Sequence, residues 1–181
     1  MRHGRVARVV HLVTWCLGLV LQLPCARATL AEDLPEYKLK AAFLFNFARY
    51  TEWPAEVGGT LNFCVAGADP FGAELDALQG KAVGDRTIAV QRRRIDDGIK
   101  GCHLVYVGAA TMPQLPRLLA GIGDSPVLTV ADSPGAGRQG VALNMNVEND
   151  RVTFEANLHA ARAAHLNLSS KLLRLATEVR Q

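Results

Sequence analysis

Residues 61–80 read LNFCVAGADPFGAELDALQG and join an apolar run to a helical pattern. The run at residues 61–68 is short and uninterrupted, which is typical of a strand covered on both faces. Asp69, followed by a proline, is a typical helix N-cap, and Gly80 is a typical stop, so a helix is predicted over residues 69–80. A buried strand that leads into a helix is the repeating unit of a parallel sheet.

The same alternation continues along the chain and predicts one α/β domain. Further strands are predicted at residues 86–93, 102–109 and 125–132, and further helices at residues 111–123, with a Thr-x-x-Gln capping box, and 169–180. Residues 141–158 alternate between apolar and polar side chains around Asn149-Asp150, which predicts a hairpin. The expected fold is a mostly parallel β-sheet flanked by helices on both faces, with an antiparallel edge hairpin.

The N-terminal residues have the parts of a secretory signal peptide. Three arginines and no acidic residue precede a short apolar run, and residues 26–28 form an A-x-A cleavage site. An uncleaved anchor and a lipoprotein are the alternatives, but the run is short for a membrane span and Cys25 lacks a lipobox. We predict a signal peptide over residues 1–28 and a single domain over residues 29–181, with no membrane insertion after cleavage.

Charge and motif content favour neither a nucleic-acid partner nor an enzyme. Removal of the signal, with its four arginines and no acid, changes the net charge from +3 to −1. His103, His159 and His165 lack the spacing of a metal site, and no Walker A or G-x-S-x-G pattern occurs. The sequence therefore predicts no catalytic residues, no metal and no cofactor.

Residues 37–54, YKLKAAFLFNFARYTEWP, predict a helix that Pro54 ends. Its expected sheet-facing stripe consists of Leu39, Ala42, Phe43, Asn46, Phe47, Tyr50 and Trp53. Asn46 is expected to be a buried, hydrogen-bonded amide. Leu44 and Phe45 fall outside the stripe, so either a second helix or a partner protein covers them. Together with Trp53 at the helix end, they form the predicted partner-binding surface.

Two cysteines remain in the predicted domain, Cys64 and Cys102. Neither lies in a C-x-x-C pattern, and an exported protein meets an oxidising compartment. We predict one structural disulfide, with a Cα–Cα distance within about 4.4–6.8 Å. Two buried free thiols are the alternative.

A ligand site is expected where parallel strands end, because ligands of open α/β sheets bind beyond the carboxyl ends of the strands. The loops that would gather there are residues 67–72, 108–113 and 131–140. Two of them lead into predicted helix N-termini, which attract anions. The candidate ligand-binding residues are Asp69, Phe71, Thr111 and Arg138. Ordinary capped turns are the alternative.

Five segments together resemble the YfiR family of small periplasmic proteins, in register over nearly the whole predicted domain. They are EYKLKAAFLFNFARYTEWP, FCVAGADPFGAELDALQGKAVGDRTIAV, CHLVYVG, PVLTVADSPG and NLSSKLLRLA. The resemblance implies a periplasmic, non-enzymatic repressor that binds the periplasmic domain of an inner-membrane diguanylate cyclase. Cyclic di-GMP and biofilm formation would fall as a result.

The resemblance also implies an outer-membrane OmpA-like lipoprotein that sequesters the repressor, and a homodimer. Cys64 and Cys102 align with the central disulfide of the family. Some relatives have a second cysteine pair, which this domain lacks, so redox switching at such a bridge is not expected. A periplasmic small-molecule-binding sensor is the alternative function.

Overall fold

An eight-stranded mixed sheet organises the computed structural model, which describes residues 33–149 and 151–181. The predicted signal peptide and Asp150 of the predicted hairpin turn lie outside these residues. The helices are α1 Asp33–Arg49, α2 Ala73–Asp76, α3 Leu115–Ile122, α4 Leu158–Ala163 and α5 Ser170–Leu173. The strands are β1 Thr51–Glu52, β2 Thr60–Ala66, β3 Ala82–Val83, β4 Arg86–Arg93, β5 Leu104–Val107, β6 Leu128–Ala131, β7 Leu143–Glu148, β8 Arg151–Asn157, β9 Asn167–Leu168 and β10 Glu178–Arg180.

The strand order β10-β8-β7-β6-β5-β2-β4-β3 confirms the predicted fold class. The central strands β4, β2, β5, β6 and β7 run parallel, whereas β3 with β4 and β7 with β8 pair antiparallel. The predicted hairpin is present as β7 and β8, one strand in from the edge, because β10 pairs in parallel with β8. Strands β1 and β9 form a separate antiparallel pair.

Apolar side chains fill both faces of the sheet, as the uninterrupted strands predict. Alternate residues of β2 divide between the faces: Phe63 and Val65 join one buried cluster, and Cys64 and Ala66 join the other. Helices α1, α2, α4 and α5 cover the first cluster, and α3 covers the second. Helices therefore flank both faces.

The predicted C-terminal helix over residues 169–180 is wrong beyond its first turn. Ser169 caps α5 by accepting a hydrogen bond from the Leu172 amide, but the helix stops at Leu173. Thr177 then donates its backbone N–H to the Phe154 carbonyl at 2.8 Å, and β10 follows. The exposed edge of β8 offers unpaired backbone groups, and the chain satisfies them by becoming a strand.

Two other predicted helices are shorter than the pattern indicates. Only α2 forms within residues 69–80, and its N-cap is Gly72 rather than Asp69. Residues 109–114 form a 3₁₀ segment before α3, because Pro113 and Pro116 interrupt the regular helical hydrogen bonds. Helix α4 and the short strands β1, β3 and β9 were not predicted.

Helix α1 buries a different face from the predicted one. Its buried residues are Lys40, Ala41, Leu44, Phe47 and Ala48. Leu39, Ala42 and Asn46 are exposed, so their assignment to the sheet-facing stripe is wrong, as is the buried amide at Asn46.

Helix α1 also ends earlier than predicted, at Arg49. Residues 50–54 are not helical, so Trp53 does not belong to the buried face of α1. Leu44, predicted to point outward, is 1 % exposed in the core. Phe43 and Tyr50 pack against the same core while remaining half-buried.

We expect Leu44→Ala to lower the free energy of unfolding by about 3 kcal/mol, because it leaves a cavity in a filled core. Leu39→Ala is the matched control, since Leu39 lies on the same helix and is 42 % exposed. Its effect should stay within about 0.5 kcal/mol. Urea denaturation of both variants measures the difference. Equal losses of stability would mean that Leu44 does not lie in the core.

Candidate functional site

A cleft of about 450 Å³ opens at the carboxyl edge of the sheet. The loops after β2, β5 and β6 form it, and α1 closes it from the side. The residues that line it are Tyr37, Lys40, Ala68, Asp69, Pro70, Tyr106, Gly108, Ala109, Ala110, Thr111 and Asp132. This is the edge at which the predicted ligand loops were expected to gather.

Lys40 is the buried charge at the centre of the cleft wall, and it is only 3 % exposed. Its ammonium lies 2.6 Å from the Asp132 carboxylate, pairs also with Glu36 one turn earlier on α1, and stands 4.7 Å from the centroid of the Tyr37 ring. Burial alone would lower the pKa of Lys40, but the hydrogen bonds to Asp132 and Glu36 outweigh burial and raise it. Lys40 is therefore a charged link between α1 and the end of β6.

Tyr106 lines the same cleft, and its hydroxyl is buried beneath the surface. The residue is 1 % exposed, and its hydroxyl lies beside the Asp132 carboxylate, with poor hydrogen-bond geometry. Burial, with the negative charge of nearby Asp132 as a second cause, raises the pKa of Tyr106 well above its usual range. The hydroxyl is thus neutral and can donate toward the Asp132 carboxylate.

The structure brings three of the four candidate ligand residues to the cleft or its wall. Asp69 and Thr111 line it, and Phe71 packs edge-on against the rings of Tyr37 and Tyr106. Arg138 is exposed and does not line the cleft.

The polar groups of these candidates are largely occupied. Asp69 accepts a hydrogen bond from the Phe71 amide and pairs with Arg92, and the Thr111 hydroxyl donates to the Ala66 carbonyl at 2.8 Å. The predicted capping role of Thr111 is wrong, since Gln114 precedes α3. The loops lead into a four-residue helix and a 3₁₀ segment, so neither offers the full helix N-terminus that the anion argument required.

Sequence reasoning missed Lys40, Tyr106 and Asp132. Two signals were present: a lysine next to the apolar run of the helical stretch, and an aspartate directly after a buried strand. An acid at the carboxyl end of a parallel strand lies at the edge where a buried cation from another element needs a partner.

The predicted disulfide is present between Cys64 in β2 and Cys102 before β5. The Cα atoms are 5.9 Å apart, within the expected range. The neighbouring His103 has the structural role expected of it, because its Nδ1 accepts a hydrogen bond from the Asn62 amide at 3.0 Å. Burial, and then the positive charge of Arg86, lower the pKa of His103.

The three residues of the predicted partner surface have different environments. Leu44 lies in the core and cannot contact a partner directly. Phe45 and Trp53 are half-buried against that core, and the Trp53 indole donates to the Ala48 carbonyl at 3.0 Å. Partner binding by Phe45 and Trp53 stays a prediction.

Within the described part of the chain, no group of three or more histidine, cysteine, aspartate or glutamate residues could hold a metal ion. In those same residues, no helix has both the length and the apolar character to cross a membrane.

A known protein family matches most of this chain. The family described as YfiR/HmsC-like matches this chain over residues 37–177. The matched range begins at Tyr37 in α1, ends just before β10, and includes both cysteines together with Lys40, Tyr106 and Asp132 of the cleft.

Proposed function

This chain belongs to the YfiR/HmsC-like family, and from that membership we propose that it binds the periplasmic domain of an inner-membrane diguanylate cyclase and holds the enzyme inactive. The family is one of periplasmic regulators of diguanylate cyclases, and the match over residues 37–177 is the observation that carries the proposal. Cyclic di-GMP and biofilm formation fall as a consequence.

Action by binding rather than by catalysis fits the residues that the structure describes. The polar groups of the cleft are engaged with one another in ion pairs and hydrogen bonds. The proposal therefore has no catalytic residues. It includes a homodimer and release of the cyclase through an outer-membrane OmpA-like lipoprotein, both of which rest on the family resemblance.

The proposed contact surface includes Phe45 and Trp53. Half-buried aromatic side chains on a rigid helix, or just after it, are suited to serve as binding anchors, because little conformational entropy is lost when a partner covers them. The buried Leu44 supports the helix from beneath. The Phe45 ring also has the Lys81 ammonium 6.0 Å from its centroid, so a charge borders this apolar surface.

We expect deletion of the gene to raise cellular cyclic di-GMP and surface attachment, because the cyclase loses its repressor. Mass spectrometry of cell extracts and a crystal-violet attachment assay measure the two effects. The host strain must express the cyclase, and a plasmid copy of the gene should restore the parental level. Unchanged cyclic di-GMP in that strain contradicts the repressor function.

Complementation with Phe45→Ala tests the surface separately. Loss of an interface anchor should weaken repression about tenfold or more while the protein still accumulates. Leu39→Ala, an exposed apolar truncation elsewhere on α1, should repress normally. If both variants repress like the wild type, the contact surface lies away from Phe45.

A periplasmic small-molecule sensor is the second candidate function. The cleft favours it, because it opens at the carboxyl edge of the sheet, where ligands of open α/β sheets bind. An adjacent gene for a transporter or a sensor kinase would support this function, whereas genes for a diguanylate cyclase and an OmpA-like lipoprotein would support the repressor.

A further inference from the structure

A histidine side chain holds the start of the pairing between β2 and β5. The His103 Nδ1 atom accepts a hydrogen bond from the backbone N–H of Asn62 at 3.0 Å, and the His103 backbone N–H donates to the Asn62 carbonyl at 2.9 Å. The imidazole thus takes the place of the backbone carbonyl that would accept from Asn62 in a continued parallel ladder. Because Nδ1 is the acceptor, the ring is neutral and carries its proton on Nε2.

Protonation of His103 would abolish this contact. Both ring nitrogens of an imidazolium are donors, so a protonated His103 would direct an Nδ1–H at the N–H of Asn62. Two donors cannot share a hydrogen bond, and the ring must therefore leave. Both residues are half-buried, so the Asn62 N–H would lose its partner where desolvation makes that loss unfavourable.

The charges around His103 favour the neutral ring. Arg86 of β4 adds a positive charge that, after burial, lowers the pKa of His103. The Asp85 carboxylate pairs with Arg86 at 3.0 Å but is largely exposed, and Lys100 in the turn before β5 is exposed as well. The residues of β2 and β6 that bond to His103 are uncharged. His103 is therefore neutral near pH 7, and acid is needed to charge it.

We propose that His103 is an acid-sensitive switch between β2 and β5. Uptake of a proton from solvent displaces the imidazole, frees the Asn62 N–H and loosens the start of the two strands. The disulfide between Cys64 and Cys102 joins the same strands at this end of their pairing and keeps them together. The opening is therefore local, and it reverses when the proton leaves.

Arg86 connects the switch to the proposed contact surface. Its guanidinium donates to the carbonyls of Val57 at 3.2 Å and Pro54 at 3.5 Å, so it anchors the segment that follows Trp53. A charged His103 repels Arg86 and weakens this anchor. In this step the inference rests on the proposed function, since acid would then weaken repression of the cyclase.

Amide exchange of the purified protein, followed by NMR from about pH 7.5 to about pH 4.5, tests the switch. Protection factors correct for the intrinsic effect of pH on exchange, and ring nitrogen shifts in the same samples report the protonation of His103. We expect the protection of the Asn62 amide to fall about tenfold as His103 takes up its proton, because one hydrogen bond is lost. Unchanged protection overturns the proposal, as does a neutral ring with its proton on Nδ1 or a ring that stays neutral until the protein unfolds.

His103→Asn separates titration from hydrogen bonding. The asparagine amide oxygen lies near the position of Nδ1 and accepts a hydrogen bond, but it does not titrate. The protection of the Asn62 amide in this variant should stay constant with pH to within about twofold. His165→Asn is the matched control, because it removes an exposed histidine at a positive φ of 55° that asparagine adopts readily. A loss of protection in acid by His103→Asn contradicts the proposal, as does a lost pH response in His165→Asn.

The link to repression is tested in the deletion strain, complemented with either the wild-type gene or His103→Asn. Porins leave aqueous channels through the outer membrane, so the acidity of the medium reaches the periplasm. At about pH 5.5, cyclic di-GMP should be at least about twofold higher with the wild-type protein than with the variant. Equal levels contradict the link to repression. A deletion without effect contradicts the repressor function instead, and the exchange experiment on the isolated protein still decides whether His103 is a switch.

Discussion

Lys40→Met should lower the free energy of unfolding by about 3–5 kcal/mol. The substitution keeps most of the side-chain volume but removes the charge that compensates Asp132, whose side chain is 7 % exposed. A buried carboxylate that loses its partner retains the full cost of desolvation, which is why breaking one side of such a pair costs this much. Urea denaturation at neutral pH measures the change.

The double variant Lys40→Met with Asp132→Asn separates the charge from the packing. Asparagine has nearly the same shape as aspartate but no charge, so the double variant should recover much of the stability that the single variant loses. Glu36 is partly exposed and remains hydrated in both variants. The prediction is wrong if Lys40→Met is as stable as the wild type, or if the double variant is no more stable than the single one. Either result would mean that Lys40 does not stabilise the fold by compensating the charge of Asp132.

The contribution of Lys40 should also depend on pH in one direction. Its pKa in the folded protein is raised above 10.5. Below pH 10.5 the ammonium is protonated in both states, so the difference between wild type and Lys40→Met is fully present. Above that pH the unfolded chain releases the proton that the folded protein retains, and the difference falls as pH rises through the folded pKa. A difference that grows with alkaline pH would contradict the raised pKa.

Replacement of both Cys64 and Cys102 by alanine should lower the free energy of unfolding by about 4 kcal/mol. The disulfide closes a loop with a sequence separation of 38 residues. In the chain-entropy description, the stabilisation comes from restricting the unfolded chain and grows with the logarithm of that separation. For a domain of this size, we expect the melting temperature to fall by about 8–16 °C.

Reduction provides the control for the disulfide prediction. Dithiothreitol should destabilise the wild-type protein by a similar amount and leave the double-alanine variant unchanged. Quantitative thiol titration of the unfolded protein without reductant should find no free thiol in the pair. Two titratable thiols at Cys64 and Cys102, or a wild-type protein that is insensitive to reduction, contradict the prediction.

The central strands and the disulfide were predictable because their signals are local. Strands β2, β5 and β6 are covered on both faces, so nearly every residue in them must be apolar, and the pattern is visible without knowledge of the neighbours. The alternation of such strands with helical segments then indicates a parallel sheet. Cys64 lies in β2 and Cys102 lies just before β5, and these two strands pair directly.

The buried face of α1 and the secondary structure of residues 169–180 were not predictable in the same way. The helix is apolar around much of its circumference, so sequence periodicity does not determine which side faces the sheet. Residues 169–180 have a helical pattern, but the unpaired edge of β8 provides backbone partners that a continued helix could not use.

The sequence by itself therefore determined the α/β sheet and the cysteine pair, since each depends on residues whose burial is visible in a short window. Only the tertiary structure decided that Leu44 is core, that Leu39 is surface, and that Lys40 is buried. Lys40 meets Asp132 across 92 residues of sequence. A buried charge needs an opposite charge beside it, and only the folded sheet brings the buried carboxylate of Asp132 to Lys40.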